Sequence, residues 1–320
     1  MRVVPFWVLL PTKQARGACK LREGYLMNLD NALKIVANLS LLALFASCAP
    51  SSKDLNAYQA INSDDSSIIG GATATADFEK KNGIVGVYDI EKGGLCTGSL
   101  IGDGLVLTAG HCANVAHPEK MIIFFGTDLK TIVAQVHKGD RSNVRPVLKV
   151  LRHEKYNIDE TQTANDNAHT KNDISLIRFQ GSAAAGFQIA NLATQAQSTM
   201  VQQGLTVMLA GYGLSEFKQD PHTGEALSSK GAGTLRQVDN IKILSVLPTF
   251  EEITFDQSSG RGACHGDSGG PAYVVDAKSK TNFLVGVTSR GGGDCNVTAV
   301  YTGVIGYSQW IQSRSAQLMK

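Results

Sequence analysis

Short apolar runs separated by turn residues follow one another from about residue 84 onward. Residues 83–88 read Gly-Ile-Val-Gly-Val-Tyr and residues 121–125 read Met-Ile-Ile-Phe-Phe, and Gly, Asn and Asp stand between such runs. Runs of this length, bounded by turn residues, are typical of β-strands. The pattern therefore predicts an all-β fold. A set of apolar positions near the end predicts a C-terminal helix: Ile305, Trp310, Ile311 and Leu318.

The first 47 residues have a different pattern and predict a signal peptide. Residues 35–47 form an apolar run that is too short to span a membrane comfortably. The run ends in Phe45-Ala46-Ser47-Cys48, which resembles a bacterial lipoprotein cleavage site and implies a lipid on Cys48; the alternative is ordinary signal-peptide cleavage nearby. Met27 is a more natural start than Met1, so we interpret residues 1–26 as an upstream extension of the reading frame.

The segment 48–67 is rich in Ser, Asp and Asn, and we interpret it as a tether or propeptide. Over all 320 residues, 43% are hydrophobic and 18% charged, as in ordinary globular proteins. The net charge of +2 and the scattered basic residues give no reason to expect a nucleic-acid partner. A P-loop, a dinucleotide fingerprint and internal repeats are absent from the sequence. We expect contact with a membrane only through a lipid on Cys48.

Candidate chemistry is concentrated in residues 264–271, Cys-His-Gly-Asp-Ser-Gly-Gly-Pro. Ser268 stands in a glycine-rich turn whose amides can hold the oxyanion formed when a carbonyl carbon is attacked. Taken alone, the same residues also suit an ordinary surface turn. A serine nucleophile needs an imidazole to take its proton and a carboxylate to orient that imidazole. His111, at the end of Leu-Thr-Ala-Gly-His-Cys, and Asp173, before Ile-Ser-Leu-Ile, meet these needs.

These three segments, in the order His, Asp, Ser, resemble the chymotrypsin/trypsin family of serine proteases; other folds use other orders. Further landmarks of the family follow in sequence: Ile68-Ile69-Gly70-Gly71, Cys96-Thr97-Gly98-Ser99-Leu100, Ala210-Gly211-Tyr212-Gly213, Val287-Thr288-Ser289-Arg290-Gly291 and Val300-Tyr301-Thr302-Gly303-Val304. The resemblance covers residues 68–320, which we take as the protease domain.

The resemblance implies two six-stranded antiparallel β-barrels with the cleft between them. The first barrel would carry His111 and Asp173, the second Ser268, and the crossover would lie within about residues 190–204. The C-terminal helix is expected to pack against the second barrel. By the same resemblance Ser268 is the nucleophile, His111 the general base and then acid, and Asp173 the carboxylate that fixes the imidazole tautomer. The amides of Gly266 and Ser268 form the oxyanion hole, and His265 borders the site.

If Cys19 is lost with the leader and Cys48 carries the lipid, four cysteines remain. The family pairs these as Cys96 with Cys112 and Cys264 with Cys295, which suits an exported protein. Reduced, buried cysteines are the alternative. We expect no metal, because only the adjacent His111 and Cys112 come close to ligand spacing, and no cofactor. The resulting expectation is an exported, monomeric serine endopeptidase that acts on protein or peptide substrates.

In the family, a cut before the residue that matches Ile68 frees an α-amino group that pairs with the aspartate before the nucleophile, here Asp267. Ser67 stands where Arg or Lys is usual, so the activating protease is unknown and a trypsin-specific one is unsuitable. The same cut would sever the domain from a lipid on Cys48. The alternative is that Ile68 only begins a strand.

The resemblance places five residues in the substrate pocket: Gly262, Ala263, Ser289, Gly291 and Ala299. Gly262 matches the position of the aspartate that trypsin-like members use to bind Arg or Lys, so we expect large apolar or aromatic residues before the scissile bond. Arg290 stands where tryptophan is common and either favours acidic residues upstream or is a solvated charge. Residues 158–171 are longer than usual and either cap the cleft or form a mobile loop.

Two other functions stay open at this point. One is a catalytically silent relative that binds a partner, although such relatives typically lose a triad residue or the oxyanion glycine. The other is an α/β-hydrolase, which needs a Gly-x-Ser-x-Gly elbow and a different triad order; residues 266–270 read Gly-Asp-Ser-Gly-Gly instead.

Overall fold

A computed structural model describes residues 68–156, 172–220, 222–223, 225–292 and 294–320. A short strand, β1 (Ala72–Thr73), precedes the first barrel. That barrel is made of β2 (Ile84–Asp89), β3 (Gly94–Gly102), β4 (Leu105–Thr108), β5 (Met121–Phe124), β6 (Val144–Arg152) and β7 (Ser175–Phe179). The strands close in the order β2-β3-β4-β7-β6-β5, with every pair antiparallel.

The second barrel follows a crossover in which β8 (Asn191–Leu192) already pairs with its sheet. The later strands are β9 (Thr206–Gly211), β10 (Glu216–Gln219), β11 (Ala226–Lys230), β12 (Arg236–Val246), β13 (Glu252–Asp256), β14 (Pro271–Val275), β15 (Asn282–Gly291) and β16 (Thr298–Gly303). Six of them close in the order β9-β12-β13-β16-β15-β14, whereas β10 and β11 form a separate hairpin. The prediction of two six-stranded barrels is confirmed.

Three α-helices complete the described part of the chain: α1 (Ala76–Asn82), α2 (Leu129–His137) and α3 (Ser308–Leu318). Short 3₁₀-helices span Pro118–Lys120 and Gln195–Met200. Within the described residues, every helix is too short or too polar to cross a bilayer.

Alternation along the strands explains how the barrels are filled and joined. Val85 and Val87 of β2 face the interior of the first barrel, together with Ile123 of β5. Ile84 and Tyr88, which flank these two valines, face the other side of β2. They belong to a second cluster that also contains residues of the second barrel, such as Tyr273. Successive side chains of a strand point to opposite faces, so β2 is buried on both. The outer faces therefore bury the barrels against each other and fix the cleft between them.

The C-terminal helix is confirmed, but the expectation that it packs against the second barrel is wrong. Helix α3 lies against β6 and β7 of the first barrel. Arg178 of β7 donates a hydrogen bond to the carbonyl oxygen of Leu318 (3.1 Å), and Trp310 donates one to Glu154 (3.0 Å). Ile311 and Leu318 are buried in the cluster that the outer faces of the strands share. The apolar face of the helix thus completes the cover of the first barrel.

Candidate active site

Two residues predicted for the triad, His111 and Asp173, are joined by two contacts. His111 follows β4 and Asp173 precedes β7, and these strands are neighbours in the first barrel. The carboxylate accepts a hydrogen bond from the backbone amide of His111 (2.8 Å), and its Oδ2 lies 2.8 Å from Nδ1 of the ring. Asp173 is only 1% exposed, whereas the ring of His111 is 28% exposed. The carboxylate therefore selects the tautomer with hydrogen on Nδ1, which leaves Nε2 as the proton acceptor.

Opposing effects set the basicity of that ring. Burial lowers the pKa of His111, but the charge of Asp173 and its hydrogen bond raise the pKa, so that it ends above the usual 6.5. An imidazole with a raised pKa is a stronger base when it is neutral. The arrangement suits proton transfer from an alcohol near neutral pH.

Ser268 lies between β13 and β14 of the second barrel, at the end of the loop that Asp267 supports. It shares a cavity of about 270 Å³ with His111. The hydrogen bonds of the described residues include none between Ser268 and His111. Such bonds are often long in a ligand-free enzyme and tighten in the substrate complex. The structure thus brings the alcohol and the imidazole to one cavity without an alcohol-imidazole bond.

Two backbone amides of the loop at Ser268 have no hydrogen-bond acceptor in the described part of the chain, and both residues are partly exposed. Among the described residues, the amides of Gly266 and Ser268 donate to no acceptor, whereas the amide of Asp267 between them donates to the carbonyl oxygen of Cys264 (3.0 Å). Gly266 has φ +97°, and a Cβ there would lie 2.8 Å from the Cα of Gly213. Only glycine fits this turn. Two free donors on one loop can stabilise an oxyanion.

Asp267 is completely buried directly behind this loop. Its carboxylate accepts hydrogen bonds from the amides of Gly213 and Cys264, both at 2.8 Å. Burial raises the pKa of Asp267 to about 7, although these hydrogen bonds oppose the rise. Ile68 is also fully buried, in the core of the second barrel, and Ile69 forms a β-bridge with Gly262. Within the described contacts, Ile68 and Asp267 are not joined; in the uncut chain Ile68 carries an amide and not an ammonium group.

Four of the five predicted pocket residues line the cavity: Ala263, Ser289, Gly291 and Ala299. Gly262 does not line it. Gly262 lies behind Ala263, where its amide donates to the carbonyl oxygen of Ile69 (3.0 Å). His265 also lines the cavity. Its ring lies edge-on to the ring of Phe217 in the β10–β11 hairpin, with 4.7 Å between the ring centroids.

Gln257 is a site residue that the sequence did not reveal. Its side chain is fully buried and accepts a hydrogen bond from the amide of Ala263 (2.7 Å). Its amide group donates to the carbonyl oxygens of Ala263 (3.1 Å) and Cys295 (3.0 Å). Gln257 therefore connects two walls of the cavity. A glutamine after a strand carries no sequence signal for such a role.

Arg290 lines the cavity and is paired with a carboxylate. Its guanidinium forms a bidentate pair with Glu252, with N···O distances of 2.9 and 3.2 Å. The two side chains are 19% and 14% exposed. Arg290 is thus not a solvated charge. An acidic substrate residue would have to compete with Glu252 for it, and a preference for acidic residues upstream stays a prediction. The partner lies on β13 and could not be identified from the sequence.

Both expected disulfides are present, Cys96–Cys112 and Cys264–Cys295, with Cα–Cα distances of 6.2 and 5.2 Å. The first ties β3 to the residue after His111, and the second joins the loop that carries Ser268 to the opposite cavity wall. Two clusters with metal-ligand chemistry contain these cysteines, together with His111 or His265. Because their sulfurs are oxidised to disulfides, the thiolates that a metal would need are not available.

Several expectations concern residues outside the described ranges. These are the signal peptide 1–47, the lipid on Cys48, the tether 48–67 with Ser67, and the insertion 158–171. They stay predictions from the sequence.

Known proteins resemble this chain over the two barrels and the start of α3. A family model described as Trypsin matches residues 68–311. A relative named Chymotrypsin, from Phaedon cochleariae, is 30% identical over 225 residues, which cover 69% of this chain and 72% of the relative. Serine protease 1 of Drosophila melanogaster is 30% identical over 230 residues, which cover 69% and 75%. CLIP domain-containing serine protease B4 of Anopheles gambiae is 29% identical over 258 residues, which cover 75% and 65%. These relatives come from insects, and the family match begins at Ile68, so it does not bear on the lipoprotein motif.

Proposed function

Because the chain belongs to the trypsin family and is a serine endopeptidase, we propose that Ser268, His111 and Asp173 carry its peptide-bond hydrolysis. The observation that supports this most is the pairing of buried Asp173 with Nδ1 of His111 at the edge of the cavity that Ser268 lines. The two open amides of Gly266 and Ser268 supply the complementary donors.

The proposed reaction begins when Oγ of Ser268 attacks the scissile carbonyl carbon and its proton passes to Nε2 of His111. The tetrahedral oxyanion accepts hydrogen bonds from the amides of Gly266 and Ser268. When the C–N bond breaks, His111 gives the proton to the departing amine and an acyl-enzyme remains. Water then attacks the ester carbon with His111 again as base, and Ser268 regains its proton. Asp173 stays ionised throughout and stabilises the imidazolium.

We also propose that the protein is made as a zymogen that is activated by a cut before Ile68. The support is the chemistry of Asp267, which is fully buried and has a raised pKa. An α-ammonium group released at Ile68 would provide a partner for this carboxylate. Removing one partner from a buried pair of this kind costs about 3 to 5 kcal/mol, which is enough to control the shape of the adjacent loop.

For the substrate, we propose a large apolar or aromatic residue before the scissile bond. The cavity walls contain small residues, Ala263, Gly291 and Ala299, and the described lining includes no Asp or Glu. A cationic side chain would therefore lose water without gaining a counter-ion.

Export is supported by the two disulfides, because disulfides persist mainly in oxidising compartments. The proposal of a lipid on Cys48, released from the domain by the activating cut, rests on the sequence alone.

The test is hydrolysis of a peptide amide by the secreted protein, together with amino-terminal sequencing. We expect an active form that begins at Ile68 and a Ser268→Ala variant without activity. A silent binding protein would hydrolyse nothing in either form. Full activity of a form that is still joined to Ser67 would reject the zymogen proposal and leave the proposed triad intact.

A further inference from the structure

Thr97 of β3 is completely buried at the junction of the two barrels. Its backbone amide donates to the carbonyl oxygen of Ser268 (2.8 Å). Its hydroxyl donates to the carbonyl oxygen of Gly266 (3.1 Å) and accepts a hydrogen bond from the amide of Tyr212 (3.0 Å). Thr97 of the first barrel therefore holds Gly266 and Ser268, the two residues whose amides have no acceptor.

These bonds add to the backbone hydrogen bonds that Leu214, Cys264 and Thr288 make with the same loop. Gly266 has no side chain and has φ +97°, so sterics alone limit its dihedrals weakly. The Gly266–Asp267 peptide is planar, so the bond from the amide of Asp267 to Cys264 already restrains it, and its carbonyl oxygen has one further partner. The Thr97 hydroxyl holds this carbonyl, and through Tyr212 it also contacts the turn whose Gly213 amide binds Asp267. The hydroxyl thus ties this peptide, and with it Gly266, to the first barrel.

The hydroxyl cannot be replaced here by an apolar group of the same shape. A hydroxyl can donate one hydrogen bond and accept others at the same time, which valine cannot do. With valine, the partly buried carbonyl oxygen of Gly266 and the buried amide of Tyr212 would both lose their partner, and each would favour a rearrangement that restores one.

We propose that the Thr97 hydroxyl is a positioning group for the oxyanion site: it fixes the peptide of Gly266 so that the two open amides converge on one point. The inference rests on the proposed function, because it assigns the oxyanion to Gly266 and Ser268. Thr97 itself does not contact the substrate. Its loss lowers the rate of the chemical step and leaves substrate binding largely unchanged.

The experiment compares Thr97→Val and Thr97→Ser in the processed protein, which begins at Ile68. The concentration of active sites is determined by titration. Direct removal of an oxyanion donor lowers kcat about 100- to 1000-fold, so a positioning defect should lower kcat about 10- to 100-fold. KM of Thr97→Val should stay within about 3-fold, because ground-state binding does not use the oxyanion site. Thr97→Ser keeps the hydroxyl and should restore most of kcat.

A second readout follows the oxyanion itself. A peptide aldehyde forms a hemiacetal with Ser268 whose oxygen occupies the oxyanion site. Its affinity should fall in Thr97→Val by about the same factor as kcat, whereas the affinity of the matching peptide alcohol should not change. Transition-state-like ligands report interactions that substrates do not.

The matched control is Tyr273→Phe. Tyr273 is buried, and its hydroxyl donates to the carbonyl oxygen of Asn82 (3.2 Å), so this variant also loses a hydroxyl that joins β14 to the end of α1. We expect it to lose stability and keep kcat. If Thr97→Val does not fold, Thr97→Ala removes the same hydroxyl and is judged by the same criteria.

A kcat of Thr97→Val close to wild type would overturn the inference, and so would a Thr97→Ser variant as slow as Thr97→Val or a Tyr273→Phe variant with an equal loss. Ser268→Ala distinguishes a failure of the proposed function from a failure of the proposed role of Thr97. If Ser268→Ala keeps activity, the proposed function fails; if it is inactive and Thr97→Val is not impaired, only the role of Thr97 fails.

Discussion

Ser289 donates a hydrogen bond from its hydroxyl to Oδ2 of Asp173, 2.7 Å away, across the junction of the barrels. The same oxygen faces Nδ1 of His111. The carboxylate is therefore held by both barrels, and its orientation depends on how they pack. Ser289 was predicted only as a pocket residue, and it has this second contact because β15 ends beside the loop that carries Asp173.

Replacing Ser289 by alanine should slow catalysis and leave the fold intact. A hydrogen bond to a charged group contributes about 1.5 to 3 kcal/mol, so we expect kcat/KM for a peptide substrate to fall about 10-fold or more. Ser182→Ala is the control, because Ser182 also donates to an aspartate, Asp103 (3.0 Å), but at an exposed position. Equal activities of the two variants would show that Ser289 does not support Asp173.

Asp267 should make the stability of the uncut protein depend on pH. Its pKa is about 7 in the folded chain, against 3.8 for the free side chain. Between about pH 4 and pH 7 the unfolded chain releases this proton and the folded chain keeps it. The free energy of unfolding should therefore decrease as the pH rises through that window and level off above it, by a few kcal/mol in total.

The measurement is urea unfolding of the inactive Ser268→Ala protein at several pH values. Glu79 also has its pKa raised by burial to about 7, so part of the slope will remain when Asp267 is changed. We expect Asp267→Asn to reduce the slope, and cleavage before Ile68 to reduce it as well, because an ammonium partner favours the ionised carboxylate. A slope that Asp267→Asn reduces and cleavage leaves unchanged would refute the proposed pairing.

The cavity makes a prediction about substrates. A panel of peptides that differ only before the scissile bond should show faster turnover of Phe than of Arg. Ala299 lines the cavity, so Ala299→Leu should reduce turnover of the Phe peptide more than that of an Ala peptide, because the larger side chain takes up space within about 270 Å³. Faster turnover of Arg than of Phe in the wild-type protein would contradict the proposed specificity.

Gln257 should matter for pocket shape although it is not a lining residue. Gln257→Leu keeps a similar volume but leaves polar groups of Ala263 and Cys295 unpaired, each at a cost of about 1 to 3 kcal/mol. We expect a lower unfolding midpoint and a higher KM for the Phe peptide. Gln197→Leu serves as the control, because Gln197 only caps the short helical turn before β9. A Gln257→Leu variant with unchanged KM would show that the disulfide alone holds these walls.

Local patterns were sufficient to predict the strands and the site segments. The apolar runs of β2 and β5 are properties of a few consecutive residues, and so is the glycine-rich turn around Ser268. The contacts of Arg290 with Glu252 and of Thr97 with Gly266 join distant parts of the chain, and neither residue type indicates its partner. The packing of α3 on the first barrel likewise depends on which outer face the second barrel leaves uncovered.

Fluorophosphonate labelling tests the central proposal most directly, because the reagent reacts only with an activated serine. The processed protein should be modified at Ser268, as located by mass spectrometry. The labelling rate should rise with pH through a pKa above 6.5, since the raised pKa of His111 keeps the base protonated to a higher pH. His111→Ala should slow labelling by about 1000-fold or more. Modification of another serine, or equal rates in wild type and His111→Ala, would contradict the account.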